Sequence, residues 1–117
     1  MICDKEFGKA IDTLVFDGEI VIDRPKGSVH PRFPQIRYAL DYGYIKNTAS
    51  TDGGGIDVWC GSTGDRAVTA LICTVDLWKR DSEIKLLLGC TEEEIESIYR
   101  FHNSTEYMKG LLIRRAL

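Results

Sequence analysis

Apolar residues at Phe7, Ala10, Ile11 and Leu14 recur at the i, i+3, i+4, i+7 spacing of one helical face, and Asp4 stands ahead of them as an N-cap. A short amphipathic helix is expected there, ended by Asp17-Gly18. Glu19 to Asp23 alternates in part and is rich in β-branched residues, which predicts a strand that stops at Pro25. Between Pro25 and Pro34 the three prolines, a glycine and several cations suit an irregular surface loop. Tyr38 to Ile45 predicts a second strand and Ile56 to Cys60 a third, joined by the polar stretch Lys46 to Thr51 and a run of glycines. Ala67 to Leu77 is almost continuously apolar, Glu83 to Leu88 is another apolar run, and Lys79-Arg80-Asp81-Ser82 between them suits a hairpin turn. Thr91 and Glu94 fit a capping box, followed by Ile95, Ile98, Tyr99 and His102 at helical spacing. The short run Leu111 to Ile113 reads as an edge strand or a helical turn.

Helix, about five short strands and then helix describe an α+β domain, and a strongly twisted five-stranded sheet closes most economically into a small barrel. The expected architecture is an OB-like five-stranded β-barrel, with an N-terminal helix and a C-terminal helix packed on it. At 117 residues, 44% hydrophobic and 28% charged, the chain fits a single domain over residues 1–117 with one core. A formal charge of -3 argues against a nucleic-acid or anionic-membrane partner. Cys3, Cys60, Cys73 and Cys90 form no C-x-x-C pair and only His30 and His102 could join them, which argues against zinc. No apolar run approaches the roughly 18 residues of a membrane span and no leader pattern is seen, so a cytoplasmic protein with reduced thiols is expected.

The candidate chemistry lies in the glycine run. Gly53-Gly54-Gly55 can bend the chain and bring Asp52 and Asp57 together. Hard cations such as Mg²⁺ take oxygen ligands, and one or two carboxylates plus substrate phosphates make an adequate site. A second acidic group, Asp76, Asp81 and Glu83, falls at the ends of the next two strands, and two such groups could hold two metals. The cations Arg24, Lys26, His30, Arg32 and Arg37 in and beside the proline-rich loop would then grip phosphoryl oxygens. Each feature also has a plain reading as a turn, a solvated loop or a packed tyrosine.

The order of these features resembles a known family. Tyr42-Gly43-Tyr44-Ile45, six residues, then Asp52-Gly53-x-x-x-Asp57-Val58 is similar to the signature of the soluble family I inorganic pyrophosphatases, in which Y-G-Y-I precedes D-G-D-P-x-D-V. Ile20-Val21-Ile22-Asp23 with Pro25 and the Asp81-x-Glu83-x-Lys85 segment extend the likeness over most of residues 19 to 103. The resemblance implies an OB-like barrel and Mg²⁺-dependent hydrolysis of inorganic diphosphate, or a related phosphoanhydride, in the cytoplasm; a homo-oligomer is the expected assembly. Asp52, Asp57, Asp81 and Glu83 fall on metal-binding positions, and Tyr42 on the tyrosine that contacts phosphate. Asp57 and Tyr42 are thus the implied catalytic pair, with Lys26, Arg32, Tyr42 and Lys85 on the substrate. Asp23 stands where a glutamate is usual. Gly54 replaces the aspartate that orients and deprotonates the water, and His102 and Asn103 replace a tyrosine and a lysine that hold phosphate. These departures imply a slow enzyme, or a non-catalytic domain that binds a phosphate-containing ligand or a protein partner.

Overall fold

The computed structural model describes residues 3–50 and 53–115. Helix α1 (Lys5–Phe16) is followed by strands β1 (Ile20–Arg24), β2 (Asp41–Ile45), β3 (Ile56–Cys60), β4 (Val68–Asp76) and β5 (Asp81–Leu88), then helix α2 (Glu92–Phe101) and strand β6 (Met108–Arg114). Both predicted helix starts are realised by their caps. Asp4 accepts from the amides of Glu6 and Phe7, and Thr91 and Glu94 form the reciprocal capping box. The buried edge of α1 is narrower than predicted: Ile11, Leu14 and Val15 pack inward while Phe7 and Ala10 stay exposed. The proline-rich loop runs longer than predicted, to residue 40, and carries a single bridge between Val29 and Arg37. The hairpin turn covers Leu77 to Arg80, so Asp81 and Ser82 already belong to β5.

The strands form one sheet of six in the order β1-β2-β3-β5-β4-β6. All neighbours are antiparallel except β3 and β5, which run parallel with Val58 opposite Leu86 and Trp59 opposite Leu87. The chain passes from β3 out to β4 and then returns through β5, which fills the gap. Among the described residues β1 and β6 are open edges, so the expected five-stranded barrel is not formed; the sheet is open and has a sixth strand. The physical reason is that each face has its own cover. Trp59, Ala70, Ile72 and Leu87 pack under Ile95 and Ile98 of α2, with Tyr38 and Leu40 from the long loop. Ile45, Val58, Leu71, Leu86 and Leu88 pack on the opposite face with Val15 of α1. Near-continuous apolar strands mean burial on both sides, and two helices supply it without closure. Arg115 helps to fix α1, forking onto Asp12 with bonds of 2.7 and 3.0 Å.

Two local contacts explain residues that sequence pattern leaves unexplained. A Cβ at Gly43 in β2 would collide with the Val21 carbonyl of β1, so the tyrosine-glycine-tyrosine triplet needs its glycine for the close approach of two backbones. His102, at the end of α2, accepts a hydrogen bond at Nε2 from Trp59 Nε1 (3.0 Å), leaving Nδ1 toward Met108 Sδ at 3.3 Å. One imidazole thereby links the sheet core, α2 and β6. Next to it, the Asn103 amide bonds the Tyr99 and Gly110 carbonyls and accepts from the Gly110 amide.

Gly43→Ala should cost about 2–3 kcal/mol, because the opposing atoms are backbone and cannot rotate away; a urea unfolding midpoint close to that of the parent would contradict this packing. His102 gives a pH signature. Burial, aided by the positive field of Lys85, lowers its pKa to about 3, against an ordinary value of about 6.5 in the unfolded chain. Between those values the unfolded chain takes up a proton that the folded state refuses, so stability is full above about pH 6.5 and falls as pH drops toward 3. Going from pH 7 to pH 5 should cost about 2 kcal/mol through this group. In His102→Gln, which keeps an acceptor for Trp59, the pH 7 to pH 5 difference in unfolding free energy should shrink by that amount.

Candidate functional site

The sheet face under α2 is apolar at one end and polar at the other. Alternation puts Tyr42 and Tyr44 of β2, Asp57 and Trp59 of β3, and Asp81, Glu83, Lys85 and Leu87 of β5 on this face. The register that pairs Trp59 with Leu87 beneath α2 brings Asp57 beside Lys85 two residues earlier.

Lys85 Nζ is the centre of the polar end. It lies 2.8 Å from Tyr42 Oη, 2.8 Å from Asp57 Oδ2 and 3.1 Å from Glu83 Oε2. An ammonium has three protons, and each has an acceptor here. Tyr42 in turn donates to Asp57 Oδ2 at 2.5 Å. Lys85 is only 6% exposed. Burial works against its charge, but the contacts with Tyr42 and Asp57 outweigh it and raise its pKa, so it is an ammonium. Burial pushes the Tyr42 hydroxyl upward, so it remains a protonated donor. One ammonium thus stands between two carboxylate side chains of low exposure, 22% for Asp57 and 9% for Glu83.

Behind the cluster stands an aromatic wall. Tyr42 meets Trp59 edge to face at 4.7 Å and Tyr38 at 5.3 Å, and Phe101 of α2 closes on Trp59 at 5.1 Å. The far side of Tyr38 is cationic. Arg24 donates to the Tyr38 hydroxyl with its guanidinium 5.4 Å over the ring, and His30 stacks on the same ring at 6.3 Å. His30 Nδ1 accepts from the amides of Arg32 (3.0 Å) and Phe33 (3.3 Å). Its pKa is held below the usual histidine range by burial and then by the positive charges of Arg24, Lys79 and Arg32.

The structure brings together four of the predicted site residues: Tyr42, Asp57, Glu83 and Lys85. Asp52 lies outside the described residues. Asp81 sits on the same face two residues before Glu83, opposite Asp76 on β4, and makes no hydrogen bond or ion pair with Lys85. Arg32 meets His30 through its backbone amide, away from the cluster. Lys26 is exposed, and it is its backbone amide that is held, by Asp41 Oδ1 at 2.8 Å. His102 and Asn103, at phosphate-holding positions by resemblance, serve the fold as described above. Gly55 has φ +93, and a Cβ there would meet Tyr44 Cδ2 at 3.0 Å and the Ile45 carbonyl at 3.1 Å, so the glycine run also serves packing. Among the described residues no three of His, Cys, Asp and Glu converge as a metal-binding group. Pattern reading missed Tyr38, which joins the aromatic wall to Arg24. Tyr38 follows a run of loop cations, which is a weak signal.

Comparison with known proteins places the fold only. No family model matches the chain, and no curated protein matches it. Among solved structures, the crystal structure of an inorganic phosphatase from Anaplasma phagocytophilum is similar, with a TM-score of 0.55 and 16% identity over 80% of each chain. That likeness supports the pyrophosphatase-like fold implied by the signature, here as an open α+β sheet. No helix among the described residues is long and apolar enough to cross a membrane.

Lys85→Met should expose the logic of the cluster. It removes the cation from between two carboxylates and leaves them facing each other at low exposure, which costs about 3–5 kcal/mol for a broken buried pair. Chemical denaturation at pH 7 reads this directly. A loss below about 1 kcal/mol would mean that Lys85 is a surface charge in solution.

Proposed function

We propose that the chain binds inorganic diphosphate, or a related phosphoanhydride, at the Lys85 pocket and hydrolyses it slowly with Mg²⁺. The observation that carries this reading is the convergence of Asp57 Oδ2 and Glu83 Oε2 on one cationic point, Lys85 Nζ. Two hard carboxylate oxygens already arranged around a positive charge are the donors that Mg²⁺ prefers, so the residues present fit the ion. Asp57 and Glu83 would hold it, with Asp52 and Asp81 as further carboxylates in the same proposal. When bound, Mg²⁺ offsets charge on phosphoryl oxygens and acidifies a water.

The remaining roles belong to the chain's own residues. All three protons of Lys85 are engaged, so the lysine has no donor for phosphate until one partner lets go. Another cation on Asp57 and Glu83 would release it toward the substrate, and anion and cation binding are thereby coupled in both directions. Tyr42, kept protonated, orients Asp57 through its 2.5 Å bond. Arg24, whose guanidinium lies over Tyr38 beside the aromatic wall, would favour the charge of the departing phosphate, with Arg32 and Lys79 as further cations in the same proposal. Water adds across the P–O–P bridge and yields two phosphates. Gly54 supplies no carboxylate to take the water's proton, and a missing general base costs typically 10²- to 10⁴-fold in rate. A second reading, a non-catalytic domain that binds the same ligands, is favoured by that glycine and by the full engagement of Lys85.

Phosphate release from diphosphate, followed colorimetrically with and without Mg²⁺, tests the first reading. Slow Mg²⁺-dependent turnover is expected, lost in Asp57→Asn and raised about 10²-fold or more in Gly54→Asp. Turnover equal to the Asp57→Asn control rejects hydrolysis, and calorimetry of diphosphate with and without Mg²⁺ then decides the binding reading: affinity that rises with Mg²⁺ supports the coupled pocket.

A further inference from the structure

Beyond the pocket, the β4–β5 hairpin carries the most exposed large aromatic of the sheet's polar end. Trp78 is 71% exposed and Tyr107 44% exposed, and their rings meet at 5.0 Å and 45°. Nothing in the described chain covers them, although exposed rings of this size are unfavourable in water. Their backbones are nonetheless firmly held. The Leu77 amide bonds the Tyr107 carbonyl at 2.7 Å, and Asp76 Oδ1 accepts from the amides of both Trp78 (2.9 Å) and Lys79 (3.1 Å).

The position of this pair bears on the substrate. Asp76 is opposite Asp81, which shares a face with Glu83 and Lys85, so the hairpin starts about 7 Å along the strands from Glu83. Lys79 is adjacent to Trp78, and both backbone amides are held by Asp76 at the end of β4. A cation and a fixed, open aromatic surface therefore stand on the turn from which the strand bearing the buried ammonium runs. Inorganic diphosphate would not reach that surface; a phosphoanhydride carrying a flat aromatic group would. Aromatic side chains stack nucleobases with little regard to sequence because every base offers a π-face.

We propose that Trp78 and Tyr107 are a stacking platform for the base of a nucleoside di- or triphosphate whose phosphates enter the Lys85 pocket. This rests on the reading of that pocket as a phosphoanhydride site. One ring pair accommodates one base, and the net charge of -3 disfavours a polymer of phosphates, so a mononucleotide is the occupant.

The chain has two tryptophans, and Trp59 is wholly buried, so quenching by a stacked base reports on Trp78. Titration with ADP and with inorganic diphosphate, each with Mg²⁺, followed by tryptophan fluorescence and calorimetry, should give ADP at least tenfold tighter and strongly quenching. In Trp78→Ala the ratio of the two affinities should fall toward one, and Trp78→Phe should restore most of it. Diphosphate binding without an ADP advantage, or an advantage that survives Trp78→Ala, overturns the platform alone. Binding of neither ligand overturns the pocket reading, and the platform with it.

Discussion

A lysine ammonium cannot be taken out of water without a partner, and the position of Lys85 fixes much of the molecule around it. Its acceptors come from three strands: Tyr42 from β2, Asp57 from β3 and Glu83 from β5 itself. Those three strands are adjacent at the middle of the sheet. The β3–β5 pair is parallel and short, with three residue pairs in its ladder, so the ion pair between Lys85 and Asp57 extends the join beyond the backbone bonds. β5 follows β4 in the chain yet lies between β3 and β4, and the polar cluster has all its members only with β5 in that place.

The open, two-helix architecture was partly legible. Caps at Asp4 and Thr91 and the apolar spacing behind them predict both helices, because these signals are local. Strand positions follow from the same kind of signal. Strand order does not: β5 lies between β3 and β4, and β6 pairs with β4 across some 30 residues, contacts that no local pattern encodes. The near-continuous apolar character of β4 did hold the clue against a barrel, since seven of its nine residues are buried or half-buried beneath one helix or the other before the chain reaches Val75. A strand apolar on both faces calls for a layer on each side.

The site divides along a similar line. Tyr42, Asp57, Glu83 and Lys85 were legible because a short motif fixes residues that alternate on neighbouring strands, and the sheet converts that spacing into proximity. His102 and Asn103, read from the sequence as departures from phosphate-holding positions, serve the fold instead. His102 turns inward to Trp59, and Asn103 binds the turn into β6. The setting of Arg24 was only half legible, since its bond to Tyr38 depends on how a residue of the long loop packs into the aromatic wall.

This separation gives the two halves of the site different mechanical character. The acidic half stands on strands, with side chains fixed by packing against Trp59 and by bonds to one ammonium. The basic residues are more scattered: Arg24 ends β1, Arg32 stands on the long loop and Lys79 on the hairpin turn. Loops carry binding groups that must adapt, whereas strands carry groups that must hold a distance. A carboxylate pair shared by one ammonium needs a fixed spacing of a few ångströms, which neighbouring strands provide. Gly54 falls on the connection between β2 and β3, outside the strands that hold Tyr42, Asp57, Glu83 and Lys85, so the frame of the charged cluster does not depend on the side chain at that position.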